Sequence, residues 1–439
     1  MRVFICDVEG QGLDLAARAV ADGHDVRLLR EPKSSLGDGF YGVDTVTDWK
    51  AAIEWAGKDG LVINTGNYKH LPALDRYRDL GYRIFGPTVR SAALEIDRGL
   101  GMKVMQEVGI EVPHFEQFAS LKEAESFARK ADQAYVFKTL GSEEDKSLSY
   151  VASSPADLVG WLQRKQKQGL SLKGPCMLQE KIDMLAEVGV SGWFGPEGFL
   201  EDKWQMAFEF KKLMPGDYGP NTGEMGTVCQ YRKTDKMAEE MLKPMEAYLL
   251  KAGHRGDFAI GCGVDSKGKA WPFEFTVRCG WPAFFIQVAS HKGDCVEWMR
   301  DLLDGKDTLR VDYRPAVGVL ACQPPFPCFD GEPDRINGNP IAGLEDVWDQ
   351  IHPVGMMIGK GPVMKGSKVV EDQIYQTAGE IVFVATGLGS TVSKARDAAY
   401  GAIDEASFAD MMVRTDVGAS LEAQLPKLHE LGWAEGLEY

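Results

Sequence analysis

Three stretches of this sequence put chemistry-bearing side chains where packing alone gives them little reason to be. Glu274 stands between Phe273 and Phe275 in residues 270–277, which read as the return strand of a hairpin entered at 257–265 and turned through Ser266-Lys267-Gly268-Lys269. A carboxylate on a buried strand is costly unless a cation meets it. A hard divalent cation such as Mg2+ takes oxygen ligands of this kind while it bridges nucleotide phosphates. Lys138 closes the apolar run Ala134-Tyr135-Val136-Phe137, where an ammonium group is tolerable only against an anion. The third stretch, Asp217-Tyr218-Gly219-Pro220-Asn221-Thr222-Gly223-Glu224-Met225-Gly226, mixes glycines, a proline, an amide and two carboxylates. It reads as a shaped loop with backbone N–H groups turned toward a polar ligand, or equally as an ordinary structural turn.

The elements around these stretches are those of a layered α/β protein. Residues 2–6 read as a buried parallel strand, followed by a Gly10-Gln11-Gly12 turn and a helix carried by Leu13, Ala16, Ala17 and Val20. Further strands at 26–29, 61–65 and 82–85 alternate with helices and predict a doubly wound N-terminal sheet with its ligands beyond the strand carboxyl ends. Glycine at the first turn fits either a phosphate site or a tight strand-to-helix connection. Strands are expected at 134–138, 176–182, 188–194, 205–210, 317–322 and 380–385, and helices at 237–250 and 392–403. A last amphipathic helix carries Leu421, Leu425, Leu428 and Leu431, for packing or a dimer contact.

Composition narrows the class. With 439 residues, 44% hydrophobic and 26% charged, the chain is too long for one core and globular in balance. A formal net charge of −16 and the lack of any basic run argue against nucleic acid or an anionic membrane as partner. Met1 to Asp7 enter a strand directly, so no leader or membrane span is expected and the protein reads as cytoplasmic. The eight cysteines are scattered without paired spacing, which points to reduced thiols rather than a zinc or disulfide framework.

Taken together, Lys138, the 217–226 loop and Trp271-Pro272-Phe273-Glu274-Phe275-Thr276-Val277-Arg278-Cys279-Gly280 resemble the ATP-grasp ligases, and within them the glycinamide ribonucleotide synthetases. Ile84-Phe85-Gly86-Pro87-Thr88, Gly387-Leu388-Gly389-Ser390-Thr391-Val392 and Arg414-Thr415-Asp416-Val417-Gly418 match further signatures of that family in the same order. The resemblance implies an ATP-grasp fold with an N-terminal doubly wound domain (1–90), a linker and small ATP-grasp subdomain (91–180), a large subdomain with the metal site (181–313) and a C-terminal α/β domain (314–439).

The resemblance also implies roles. Arg98 and Lys138 would meet ATP phosphates, Glu180, Lys181 and Ile182 would read the adenine edge, and Glu187 would meet the ribose hydroxyls. Glu274 and Thr276 would ligate Mg2+ or Mn2+, and Arg278 would face an acyl phosphate. Gly10, Gln11, Lys211, Lys212, Asp217, Asn221, Thr222, Gly223 and Glu224 fall on the substrate side, although a charged strand end explains Lys211 and Lys212 equally well.

The implied activity is ATP-dependent amide formation through an acyl phosphate, joining glycine or another small amino acid to an amine-bearing nucleotide or metabolite, by a monomer or homodimer. Several positions depart from the family. Glu224 replaces a glycine, Thr276 an asparagine, Trp281 and Ala283 two carboxylates, and Leu140 to Ser147 a glycine-rich flap. Arginine is missing at Gly10-Gln11-Gly12 and at Ala378-Gly379-Glu380. Because a guanidinium is the usual partner of a phosphate dianion, the losses point to an acceptor other than phosphoribosylamine. The purine-synthesis step itself and a nucleotide-binding protein without catalysis are the competing expectations.

Overall fold

The computed structural model describes residues 1–7, 10–67, 69–140, 148–328 and 336–439. The flap expected after Leu140, residues 141–147, lies outside the described residues. Arg2–Cys6 is the centre of a five-stranded parallel sheet ordered Val43–Val46, Asp25–Leu29, Arg2–Cys6, Leu61–Asn64, Ile84–Phe85. Its inner strands are near-continuous apolar runs because helices cover both faces. Leu13–Ala21 packs into one core with Val3 and Ile5, and Trp49–Ala56 into another with Phe4 and Val62. The edge strand Val43–Val46 was not expected: it is short, half polar and partly exposed, so it carries no run for a sequence reading to find.

A second sheet is small and antiparallel, ordered Phe115–Phe118, Cys176–Glu180, Tyr135–Thr139, Tyr150–Val151. It has its own core, in which Phe137 and Tyr150 pack against Trp161. The third sheet is the largest. Its main path runs Ala270–Thr276, Gly256–Asp265, Met184–Gly195, Trp204–Glu209, Gly226–Arg232, Ala316–Cys322, Ile381–Leu388, Ile351–Pro353. Residues on both sides of position 314 therefore contribute strands to one sheet, joined where Gly226–Arg232 pairs with Ala316–Cys322.

Two expected elements take a different form. Residues 237–250 do not make one regular helix: a wide π turn at Ala238–Leu242 and a tight turn at Lys243–Met245 precede the helix Glu246–Ala252. Pro244 lacks an N–H and crowds the carbonyl four residues back. Nor is the 217–226 stretch all loop, since Tyr218–Asn221 pairs with Lys212–Met214 as an exposed antiparallel arm. Gly219, at φ 82°, adopts a backbone that favours glycine. Leu421, Leu425 and Leu428 of Leu421–Glu430 are buried in the main core, so that face packs within the chain. All eight cysteines are free thiols, six of them buried. Among the described residues no helix is long and apolar enough to cross a membrane.

Candidate active site

A cleft opens on the large sheet, lined among others by Glu209, Lys211, Glu224, Asp257, Glu274 and Arg278. Its two ends differ in chemistry. At the outer end, Arg98 is the first residue of the helix Arg98–Glu107, whose start is fixed by Asp97 accepting from the Gly99 and Leu100 N–H groups. Gly101 lets this helix press on the sheet, because a Cβ there would lie 3.1 Å from the Phe275 ring and 2.6 Å from Leu94 O.

Arg98 Nη2 lies 3.6 Å from Glu274 Oε2, while its buried Nε and Nη1 have no hydrogen-bond partner. Lys138 Nζ donates to Gln179 Oε1 (2.9 Å) and to the carbonyl of Phe273 (3.2 Å), the residue before Glu274. Burial pulls the Lys138 ammonium down to about 8, opposed by Glu274. Glu274 is not wedged in the core: its side chain is 43% exposed and opens onto the cleft. Thr276 sits two residues on, lining the same cleft.

At the inner end the groups in need of partners are acceptors. Lys211 is held between Glu209 (2.9 Å) and Glu187 (3.4 Å), which together keep it protonated. Arg278 Nε lies 3.4 Å from Glu95, and its Nη1 donates to Cys279 O at 3.1 Å. Burial pushes the Glu224 carboxyl well above the usual carboxylate range; Glu209 adds to this, and a hydrogen bond from the Thr227 hydroxyl opposes it. Asp257 is also buried and is pushed up to about 7 by desolvation, against the Gly280 N–H at 3.2 Å and the nearby Gln287 amide. Its Oδ1 makes no hydrogen bond of ordinary geometry, and neither does Gln287 Oε1. Ser191 and Gln205, hydrogen-bonded to each other at 3.2 Å, complete this end.

The fold brings together Lys211, Gly223, Glu224, Glu274, Thr276 and Arg278 around the cleft, with Arg98, Lys138 and Glu187 against its edge. Other expected residues lie elsewhere. The Gln11 amide donates to Cys279 O and Gly280 O, both at 3.0 Å, so it clamps the N-terminal layer to the turn after Arg278. Gly10 packs beneath Leu36 and Val354.

Asp217 and Asn221 belong to the exposed arm, where Asp217 is held by the buried Arg414 at 2.8 Å. The Thr222 hydroxyl donates to Lys211 O, and Lys212 Nζ lies 3.4 Å from Gly219 O. The Glu180 and Lys181 N–H groups are spent on His114 O and Ala134 O, and the Glu180 carboxylate accepts from Gln133 at 2.6 Å. A base edge meeting this stretch would therefore find carbonyl oxygens and the Ile182 backbone.

Sequence reasoning missed Asp257, Gln287, Ser191 and Gln205. A signal existed for Gln287: it is the one amide in the otherwise apolar helix Ala283–Ser290, a position that packing alone would fill with a hydrocarbon.

A buried lysine on a small antiparallel sheet faces a carboxylate on a large one, behind a parallel N-terminal layer; this is the architecture of the ATP-grasp fold. Residues 99–253 match the family described as phosphoribosylglycinamide synthetase, ATP-grasp (A) domain. The chain is 27% identical to the phosphoribosylamine–glycine ligase of Caldanaerobacter subterraneus subsp. tengcongensis over 79% of this chain and 81% of that one. It is 26% identical to the enzyme of the same name from Ralstonia nicotianae, over 89% and 94%. The crystal structure of phosphoribosylamine–glycine ligase from Thermotoga maritima shares the fold with a TM-score of 0.73 at 21% identity, covering 95% of this chain and 100% of that one.

Proposed function

We propose that the protein forms an amide between the carboxylate of glycine or another small amino acid and an amine, with ATP as the energy source and ADP and phosphate as products. The observation that carries this reading is the pair of buried cations, Arg98 and Lys138, converging on Glu274 at the mouth of a cleft that also holds Arg278. Two buried N–H groups of Arg98 without partners, and a lysine whose charge is opposed by burial, suit a polyanion such as a triphosphate. Glu274 and Thr276 offer oxygens on one face of a strand and would hold Mg2+ or Mn2+, which would neutralise phosphate charge.

In this mechanism Arg98 and Lys138 bind and orient the phosphates. The amino-acid carboxylate attacks the terminal phosphorus, ADP leaves, and the amine displaces phosphate from the resulting acyl phosphate. Arg278, held in place by Glu95, offsets charge as the phosphoryl group transfers. Glu180 to Ile182 would meet the adenine, Glu187 the ribose, and Lys211 the amino-acid carboxylate. No covalent enzyme intermediate is required; catalysis rests on positioning and electrostatics.

A second reading, glycine joined to phosphoribosylamine, is favoured by the names of the similar enzymes. It is disfavoured by the inner end of the cleft, where among the described residues no lysine or arginine lies within ion-pair distance of Asp257 or Glu224. The deciding measurement is ADP release with glycine and phosphoribosylamine, beside glycine with pools of other amines, and with Glu274→Gln as control. Turnover with other amines alone supports the first reading. If ATP binds yet no pool exceeds the control, a nucleotide-binding protein without catalysis replaces both.

A further inference from the structure

At the inner end of the cleft the Gln287 amide lies against the Asp257 carboxyl, yet one oxygen of each is left unpaired. Among the described residues neither Asp257 nor Glu224 lies within ion-pair distance of a lysine or arginine: Lys211 serves Glu187 and Glu209, Arg98 serves Glu274, and Arg278 serves Glu95. Asp257 and Gln287 are each 2% exposed, yet Asp257 Oδ1 and Gln287 Oε1 lack hydrogen-bond partners on the wall of an open cleft. A buried acceptor left unpaired costs about 1–3 kcal/mol, and more when charged, so two side by side mark a place where a donor is missing. Around them stand neutral polar groups, Ser191 and Gln205.

We infer that this inner end is the amine subsite, built for a small primary ammonium group on a neutral, unphosphorylated body, with Asp257 Oδ1 and Gln287 Oε1 as its acceptors. The inference rests on the ligase reading above and deepens it by naming the acceptor's chemical class. An ammonium group brings three N–H donors and no acceptor, matching two orphaned oxygens with a third hydrogen to spare. A phosphate brings the reverse. It would meet the Asp257 carboxyl and the Gln287 carbonyl oxygen, acceptors facing an acceptor, where such groups need cationic partners.

The test separates amine recognition from turnover. Ethanolamine and O-phosphoethanolamine, which share the amine and differ in the phosphate, are titrated calorimetrically into the full-length protein in amine-free buffer without ATP. The wild-type protein is expected to bind ethanolamine at least tenfold more tightly than O-phosphoethanolamine. Asp257→Asn, close in shape, is expected to weaken ethanolamine at least tenfold, whereas Gln287→Glu, which adds a second charge to the pair, leaves it unchanged or tighter. The inference is overturned if the wild type binds O-phosphoethanolamine as tightly as ethanolamine, if it binds no ethanolamine, or if a folded Asp257→Asn keeps wild-type affinity. The comparison of the two ligands on unaltered protein holds even if a variant does not fold. Because no step uses ATP, loss of the ligase reading in the ADP assay and loss of the amine subsite in calorimetry are distinct results.

Discussion

The two ends of the cleft are mirror images in what they lack. At the outer end, Arg98 has buried nitrogens without partners and Lys138 a charge that burial opposes, both beside the strand that carries Glu274. At the inner end, Asp257 Oδ1 and Gln287 Oε1 are acceptor atoms with no donor. A protein that left both ends unbalanced for structural reasons alone would lose stability twice. The economical explanation is that each end is completed by a different ligand, a polyanion outside and an ammonium inside. The two deficits lie along one cleft, as a reaction between a phosphorylated carboxylate and an amine requires.

The largest effect that could break this contrast is at the outer end. Glu274→Gln should lower ADP formation on the order of 10³-fold in a coupled assay, since it removes the charge around which both cations are organised. A half-exposed side chain is replaced by a near-isostere, so the melting temperature should stay within a few degrees. Unchanged ADP formation would detach the cations from catalysis.

At the inner end the signature is one of stability against pH. Desolvation raises the Asp257 carboxyl from 3.8 to about 7, so the native state holds a proton that the unfolded chain releases. Stability from this group is therefore full below about pH 4 and lost as pH rises to about 7. At about 1.4 kcal/mol per tenfold change in proton affinity, the loss has a ceiling of about 4 kcal/mol. Urea unfolding of the wild type and Asp257→Asn should show the difference between them shifting toward the variant between pH 4 and 7. A parallel pair of curves would show that the carboxyl is not in a desolvated site.

Lys138→Met tests the outer deficit from the other side. It should weaken ATP binding by about 2–3 kcal/mol, the worth of a charged hydrogen-bonded contact, with little loss of fold stability because burial already disfavours the charge. The smallest expected effect is on the exposed arm: Asn221→Ala should change ADP formation by less than about threefold, since the side chain is exposed outside the cleft. A large loss would restore the sequence-based role for that residue.

The sequence revealed the outer end far better than the inner one, and the reason is local contrast. Glu274 and Lys138 interrupt apolar strands, so they stand out in a linear reading. They also fall in motifs whose order is shared with a family. The same reading placed Gln11, Asp217 and Asn221 on the substrate side. In the structure the Gln11 amide meets the Cys279 and Gly280 carbonyls, Asp217 meets Arg414, and Asn221 stands on an exposed strand.

Asp257 and Gln287, on Gly256–Asp265 and Ala283–Ser290, are brought together only by the packing of that helix against the sheet. No short-range pattern encodes that meeting. The parallel sheet was legible from its buried strands. The single large sheet crossing position 314 was not, because the pairing of Gly226–Arg232 with Ala316–Cys322 is a long-range contact.

The Gln11 amide has a consequence for motion. With two hydrogen bonds to the carbonyls just beyond Arg278, it fastens the parallel layer to the floor of the cleft, so swinging those parts apart would break both at once, at about 1 kcal/mol each. The four-stranded sheet that carries Lys138 has a hydrophobic centre of its own and is the piece able to tilt as a unit. Entry and exit would then be governed by that sheet, and each tilt would draw the lysine away from Glu274, so that the grip on the nucleotide loosens as the door opens.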